Sequence, residues 1–262
     1  MENFVTLQIR QFGIATFRAV TSDHSALIRV WTGLKRLERE LGAIEIAAGS
    51  LAVMPPRVSM TIENRPTADE PYTAQLLIFP DDIVQSVRQE TGMDGNPMRV
   101  TSRGRALSAF DRAAAYARDR QVPDRLKAQA VREVLLWLAE EGIGFGSSRP
   151  ITLKDRLRVL FSADTGREWH AADAARALAV SEPTLRRHLA AEGTSFRELL
   201  SDVRMSTALG VLQTTDLPVN RIALDVGYAS PSRFAIRFRK RFGLSPSSIR
   251  VGDHRLVRPD AR

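Results

Sequence analysis

The chain has 262 residues, of which 44% are hydrophobic and 26% are charged, as in globular proteins of one or two domains. It contains no cysteine, which excludes disulfides, thiolate metal sites and a cysteine nucleophile. The 4 histidines do not lie at metal-ligand spacing, no apolar run approaches the roughly 18 residues of a membrane span, and the first residues lack a signal-peptide pattern. We therefore expect a cytoplasmic protein with no metal, no cofactor and no membrane partner.

The net charge of +8 is distributed unevenly along the chain. Residues 1–149 carry 19 basic and 18 acidic side chains, whereas residues 150–262 carry 19 basic and 12 acidic ones, a net charge of +7. This asymmetry predicts a polyanionic partner for the C-terminal part, with double-stranded DNA favoured over RNA or a membrane. A basic face that only keeps the protein soluble is the alternative.

The first 80 residues alternate between apolar and polar side chains in short segments separated by turns. This pattern predicts strands near residues 5–9, 26–31, 44–46, 51–53, 58–62 and 74–78. Such strands are typical of an antiparallel β-sandwich or small barrel. A helix is expected at residues 81–90, followed by a loop.

Two longer helices are predicted before residue 142. In the second, Val131, Leu135 and Leu138 form an apolar stripe that fits either the domain's own core or the interface of a homodimer. Residues 142–150 are rich in glycine and serine and are predicted to be flexible. We therefore expect an N-terminal domain at residues 1–145 and a C-terminal domain at residues 150–262.

After this boundary the apolar period is 3.6 almost throughout, so the predicted fold class is α+β, with an all-α C-terminal half. This half repeats itself: Ala175 matches Ala223 at an offset of 48 residues, and Leu185 and Leu189 match Phe234 and Phe238 at 49. Each repeat is a short helix, a turn and a second helix. The sequence therefore predicts two helix-turn-helix units, at about residues 170–192 and 219–242.

The second helix of each unit should begin at a serine N-cap and expose a polar face. Arginine near the start of such a helix can contact guanine in the major groove, and serine and threonine can contact bases or phosphates. The candidate DNA-binding residues are Pro183, Thr184, Arg186 and Arg187 in the first unit and Ser230, Ser232, Arg233, Arg237 and Lys240 in the second. Phosphate contacts are expected mainly from Arg239, Lys240, Arg241 and Arg250.

A capping box at Ser195 and Glu198 predicts a helix from there to residue 213. Its length of about 28 Å is close to the ~34 Å between successive major grooves on one face of DNA. One chain could therefore place both units on the same face.

These features resemble the DNA-binding module of the AraC/XylS family of transcription regulators. The residues that carry the resemblance include Ser181-x-x-x-Leu185-Arg186-Arg187-x-Leu189 and Phe242-Gly243-x-Ser245-Pro246. The resemblance implies a sequence-specific transcription regulator, more often an activator, that works with RNA polymerase. One position departs from the family, which often has arginine where this chain has Ile236, so base reading by that turn is in question.

The N-terminal part is similar to the cupin-type sensor and dimerisation domains of the same family. A metal site is not expected, because His24 is the one histidine before residue 170. Trp31, Lys35 and Arg36 are candidates for binding an anionic small-molecule effector, although core and surface roles would also explain them.

An enzyme is the main alternative class, since some DNA-repair proteins carry a similar DNA-binding module. Their chemistry needs cysteine, which this chain lacks, and it has no serine triad, phosphate loop or HExxH pattern either. We therefore expect no catalytic activity. An architectural DNA-binding or interaction module without effector control remains the alternative.

Overall fold

The computed structural model describes residues 4–39, 42–92, 95–146 and 151–249. Its N-terminal half contains two antiparallel sheets, with strand orders β1-β8-β3-β6-β9 and β2-β7-β4-β5. The strands are β1 (Val5–Gln11), β2 (Ala15–Val20), β3 (Ser25–Thr32), β4 (Leu34–Arg39), β5 (Gly42–Ala47), β6 (Leu51–Met54), β7 (Met60–Arg65), β8 (Tyr72–Phe79) and β9 (Val100–Thr101).

The two sheets enclose one apolar core, which includes Ile28 and Val30 from β3 and Leu37 and Ile46 from the opposite sheet. The other face of the five-stranded sheet is covered by three helices, which bury Leu27 of β3. These helices are α1 (Asp81–Thr91), α2 (Arg105–Arg118) and α3 (Asp124–Glu140). The predicted antiparallel sandwich with flanking helices is confirmed.

The proposed dimer stripe does not form a free surface. Val131 and Leu138 are each 1% exposed and Leu135 is 5% exposed, because α3 packs them against α2 and the sheet. The prediction that these three side chains contact a second subunit was therefore wrong for this conformation. A homodimer would need another surface.

The start of the predicted flexible segment is also packed. Ile143 is 2% exposed, and Phe145 contacts Phe79 edge-on with ring centroids 6.1 Å apart. Residues 142–146 are thus part of the N-terminal domain rather than a free linker, because their apolar side chains complete its core. Residues 147–150 lie outside the described residues.

The C-terminal half is helical throughout its described part. Its elements are α4 (Leu153–Ala163), α5 (Ala171–Ala177), α6 (Glu182–Ala191), α7 (Phe196–Thr214), α8 (Val219–Asp225), α9 (Pro231–Phe242) and a short 3₁₀ helix (Ser247–Ile249). No helix in the described ranges has the length and apolar character that crossing a membrane requires.

The two halves touch along an apolar and a polar contact. Phe17 of β2 lies in the same buried cluster as the core of α7, α8 and α9, and its ring meets that of Phe242 edge-on, with centroids 5.9 Å apart. The carboxylate of Asp23, after β2, accepts hydrogen bonds from Arg158 Nε at 3.0 Å and Ser162 Oγ at 2.8 Å, both on α4. The N-terminal domain therefore contacts both parts of the helical domain.

Candidate nucleic-acid interface

The two predicted units have the same backbone geometry at their turns. The amide of Val180 donates to the carbonyl of Ala175 at 3.0 Å, and that of Tyr228 donates to Ala223 at 2.9 Å. The residue before each amide has a positive φ, 56° at Ala179 and 82° at Gly227. This left-handed residue satisfies the last carbonyls of the first helix and starts the turn. The sequence repeat is therefore a repeat of structure.

Each second helix begins at the predicted serine. The side chain of Ser181 accepts a hydrogen bond from the amide of Thr184 at 3.2 Å, and that of Ser230 accepts one from Arg233 at 3.3 Å. Proline follows within the first two helical positions in both units, where its missing N–H costs little. These caps fix where α6 and α9 start, and thus which side chains point outward.

The buried sides of α6 and α9 match the predicted repeat. Leu185 and Leu189 are at most 1% exposed, and Phe234 and Phe238 are fully buried. The predicted DNA-binding side chains lie on the other side of each helix. Exposed are Pro183, Arg186, Arg187, Ser232, Arg233, Arg237 and Lys240, and half-buried are Thr184 and Ser230.

Most of the cations on these faces have no partner in the part of the chain that the structure describes. The guanidinium groups of Arg187, Arg233 and Arg237 and the ammonium of Lys240 make no hydrogen bond or ion pair to any residue in the described ranges. Arg186 differs, because it pairs with Glu182 one turn earlier. Unpaired cations on capped, exposed helices form a surface suited to phosphates and base edges. The predicted contact from Arg250 lies outside the described residues.

An arginine that the sequence did not single out for this role holds the second turn in place. Arg204 of α7 donates from Nη1 to the carbonyl of Gly227 at 3.1 Å, from Nε to Thr165 at 3.0 Å and from Nη2 to Arg167 at 2.8 Å. Burial lowers its pKa. The guanidinium is therefore occupied by three backbone carbonyls and ties the turn before α9 to the loop after α4.

The long helix α7 joins the two units. Its capping box is present, with Ser195 and Glu198 exchanging hydrogen bonds. Leu199 and Val203 in its first half pack into the core of the first unit, whereas Leu209 and Leu212 pack into the core of the second. Both units are thus built on one 19-residue rod, about 28 Å long.

The three candidate effector residues lie in different places. Lys35 points into the sandwich and is 2% exposed, while Arg36 projects from the other face of β4 because side chains alternate along a strand. Trp31 lies on the helix-covered side of the first sheet, where the guanidinium of Arg29 stacks 4.2 Å from its ring centroid. Of the three candidates, Lys35 is therefore the one whose side chain reaches the interior of the sandwich.

Lys35 is the first member of a buried polar chain that runs to the helical domain. Its ammonium donates to Asn64 Oδ1 at 2.6 Å, and Asn64 Nδ2 donates to Gln11 Oε1 at 3.0 Å. The same oxygen of Gln11 accepts from Gln213 Nε2 of α7 at 3.4 Å. Sequence reasoning missed this chain, because three of its members come from separate strands and one from the other domain.

Burial dominates the electrostatics around Lys35. It lowers the pKa of Lys35 from 10.5 to about 7 and raises that of Tyr72 above its usual range. The ammonium lies 5.4 Å from the Tyr72 ring centroid. The Tyr72 hydroxyl is buried and has no hydrogen-bond partner among the residues described. An unsatisfied hydroxyl and a poorly solvated amine thus face the same core.

The fold and this surface define a class of protein: a double helix-turn-helix DNA-binding domain joined to an antiparallel β-sandwich. A family model described as a helix-turn-helix domain matches residues 174–251. This match and the relatives described next show that the C-terminal domain is similar to the DNA-binding module of AraC/XylS regulators.

Several curated relatives match part of the chain. The urease operon transcriptional activator of Escherichia coli is 33% identical over 132 residues, which is 48% of this chain and 44% of the relative. The ornithine utilization regulator of Pseudomonas aeruginosa is 43% identical over 98 residues, 37% of this chain and 29% of the relative. The matched segments thus span less than half the length of these relatives.

Solved structures match over nearly the whole chain. ToxT from Vibrio cholerae O395 has a TM-score of 0.64 at 17% identity, over 94% of this chain and 96% of that one. An apo ToxT variant gives a TM-score of 0.67 at 18% identity, over 94% and 96%. The two-domain fold is therefore similar to that of ToxT.

Proposed function

We propose that the protein is a sequence-specific transcription regulator that binds promoter DNA through α6 and α9. In this proposal it acts as an activator and works with RNA polymerase. The observation that carries this is the pair of capped helices on which most outward cations are exposed and make no hydrogen bond or ion pair within the described residues. The names of the relatives, among them an activator and a regulator, support the same role. A protein that binds bacterial promoter DNA would act in the cytoplasm. In this role it would need no catalytic activity.

Selection from a random duplex library with the purified full chain tests this proposal. We expect a preferred sequence to emerge, and Arg187→Ala to weaken its binding by about 1–3 kcal/mol and to relax the preference at one base pair. Lys240→Ala should instead weaken all sequences similarly and reduce the salt dependence of binding.

Arg176→Ala is the matched control for the Arg187 variant. Arg176 is also a highly exposed helical arginine, but it lies on α5 and pairs with Asp173 at 3.6 Å. Its removal should leave the selected duplex bound as by wild type. If no sequence is enriched, or if both arginine variants bind alike, α6 does not read bases.

We further propose that the N-terminal domain senses a small carboxylic acid near Lys35. A solved ToxT structure is described as bound to an unsaturated fatty acid, and the buried ammonium of Lys35 places a cation in the interior of this chain's sandwich. The chain from Lys35 to Gln213 would connect ligand binding to α7. A homodimer formed through another surface is also compatible with this role.

Thermal melting and DNA affinity measured with a series of carboxylic acids, from short to long chain, test the sensing role. A ligand should raise the melting temperature of wild type and change its DNA affinity, and Lys35→Met should lose both effects. DNA binding that no acid alters would instead support the architectural alternative, in which the domain has no effector control.

A further inference from the structure

One residue on the proposed DNA-binding face of α9 is apolar. Ile236 is 70% exposed, the highest value among the large hydrophobic side chains described. The position that matches it in α6, at the repeat offset of 49 residues, is Arg187. The two helices therefore present different chemistry at the same place on their outward surfaces.

The neighbours of Ile236 make a protein-binding patch a poor explanation. Ser232 and Arg233 lie one turn before it and Lys240 one turn after, so its surroundings on the helix are polar and positively charged. The apolar side of α9, with Phe234 and Phe238, is already buried in the core. Ile236 is thus a single apolar group within a basic face.

A DNA duplex bound to this face would cover Ile236. Packing Ile236 against a polar base edge would cost free energy, because the base edge would lose its water without gaining a hydrogen bond. The major groove exposes one apolar group, the 5-methyl of thymine. Isoleucine also suits a fixed contact, because its β-branched side chain has one strongly preferred rotamer in a helix. Little side-chain freedom is then lost on binding.

We infer that Ile236 is a specificity-determining residue that selects an A·T pair by packing against the thymine methyl, an inference that rests on the proposed DNA binding. Arg187 would recognise guanine at the corresponding place of the other half-site. The preferred sequence should therefore be asymmetric, with a G·C pair facing α6 and an A·T pair facing α9.

Replacement of thymine by deoxyuridine tests this directly, since it removes the methyl group and leaves base pairing intact. In the selected duplex, each thymine is replaced in turn and binding is measured for wild type and Ile236→Ala. At one thymine facing α9, wild type should lose about fourfold in affinity, the value of one buried methyl group. Ile236→Ala should bind the two duplexes equally.

Leu224→Ala is the control, because Leu224 is also an exposed apolar side chain, at 54%, but lies on α8. It should keep the full response to deoxyuridine. A second variant, Ile236→Arg, should shift the selected base at that position from thymine to guanine.

The outcomes separate this inference from the proposed function. If a sequence is selected but every thymine replacement affects wild type and Ile236→Ala alike, the methyl contact is refuted and DNA binding stands. If no sequence is selected, the proposed function fails and this inference fails with it.

Discussion

Replacing Lys35 with methionine should make the protein more stable at neutral pH and less stable at alkaline pH. The side chain is buried, and burial lowers its pKa from 10.5 to about 7. At about 1.4 kcal/mol for each pKa unit, the buried ammonium costs about 5 kcal/mol below pH 7, where the folded and unfolded states are both protonated.

The sign of the pH dependence follows from the lowered pKa. Between pH 7 and 10.5 the unfolded chain keeps the proton that the folded chain loses, so the wild type gains stability as the pH rises. Methionine has a similar volume and no charge. It also leaves Asn64 Oδ1 without its hydrogen bond from Lys35, which costs about 1–3 kcal/mol at any pH.

Together these values predict that Lys35→Met is more stable than wild type by about 2–4 kcal/mol at pH 6.5 and less stable by about 0–2 kcal/mol at pH 10. Urea unfolding followed by circular dichroism at several pH values measures the free energy of unfolding of both proteins. Other titrating groups contribute equally to both values, so their contributions cancel in the difference. The exposed Lys240→Met provides the control. A difference for Lys35→Met that stays constant across this range would refute the reasoning.

Two further predictions concern the turn of the second unit and the contact between domains. Gly227→Ala should destabilise the protein strongly, since the added Cβ would lie 2.5 Å from a guanidinium nitrogen of Arg204. Gly243→Ala should cost only about 1–2 kcal/mol, from backbone strain alone, because Gly243 has a φ of 78° and open space around it. Thermal melting of the two variants measures the difference. Phe17→Ala should lower the free energy of unfolding by about 3–5 kcal/mol, because it removes a buried ring that packs on Phe242. Limited proteolysis should then release the helical domain faster than from wild type. An unchanged rate of digestion would contradict a packed interface.

The helices α6 and α9 could be predicted from the sequence because their signals are local. The serine caps, the turn and the buried pairs of α6 and α9 all lie within about ten residues of one another. As a result, both helices begin directly after a serine cap and end within a residue of the predicted ends of their units, at Glu182–Ala191 and Pro231–Phe242.

The strands β2 and β4 were missed for a physical reason that is clearest in β4. Its interior positions are Lys35, Leu37 and Arg39, so charged residues stand where the alternating pattern expects apolar ones. They are tolerated because Asn64 accepts from Lys35, and the carbonyls of Pro97 and Val53 accept from Arg39 at 2.9 and 3.1 Å. These partners come from other elements, which no local pattern contains.

The stripe on α3 shows a different limit. A row of apolar side chains at helical spacing indicates that one face of the helix is buried. It does not indicate which part of the protein, or which other protein, covers that face. Val131 and Leu138 pack within their own domain, but the same spacing would fit a second subunit. The same holds for Lys35 and Trp31, whose separation depends on which face of each strand meets the other sheet.

The strand β2 and the loop after it contact both helix-turn-helix units, one through an apolar contact and the other through polar contacts. Phe17 shares an apolar core with the second unit, whereas Asp23 reaches α4, whose Leu157 and Phe161 belong to the core of the first, through polar bonds. A shift of this short segment would act on both units at once. Exchange of N-terminal domains between relatives should therefore carry residues 15–23 with the helical domain that they complete, because a foreign strand would leave the second unit without part of its interior.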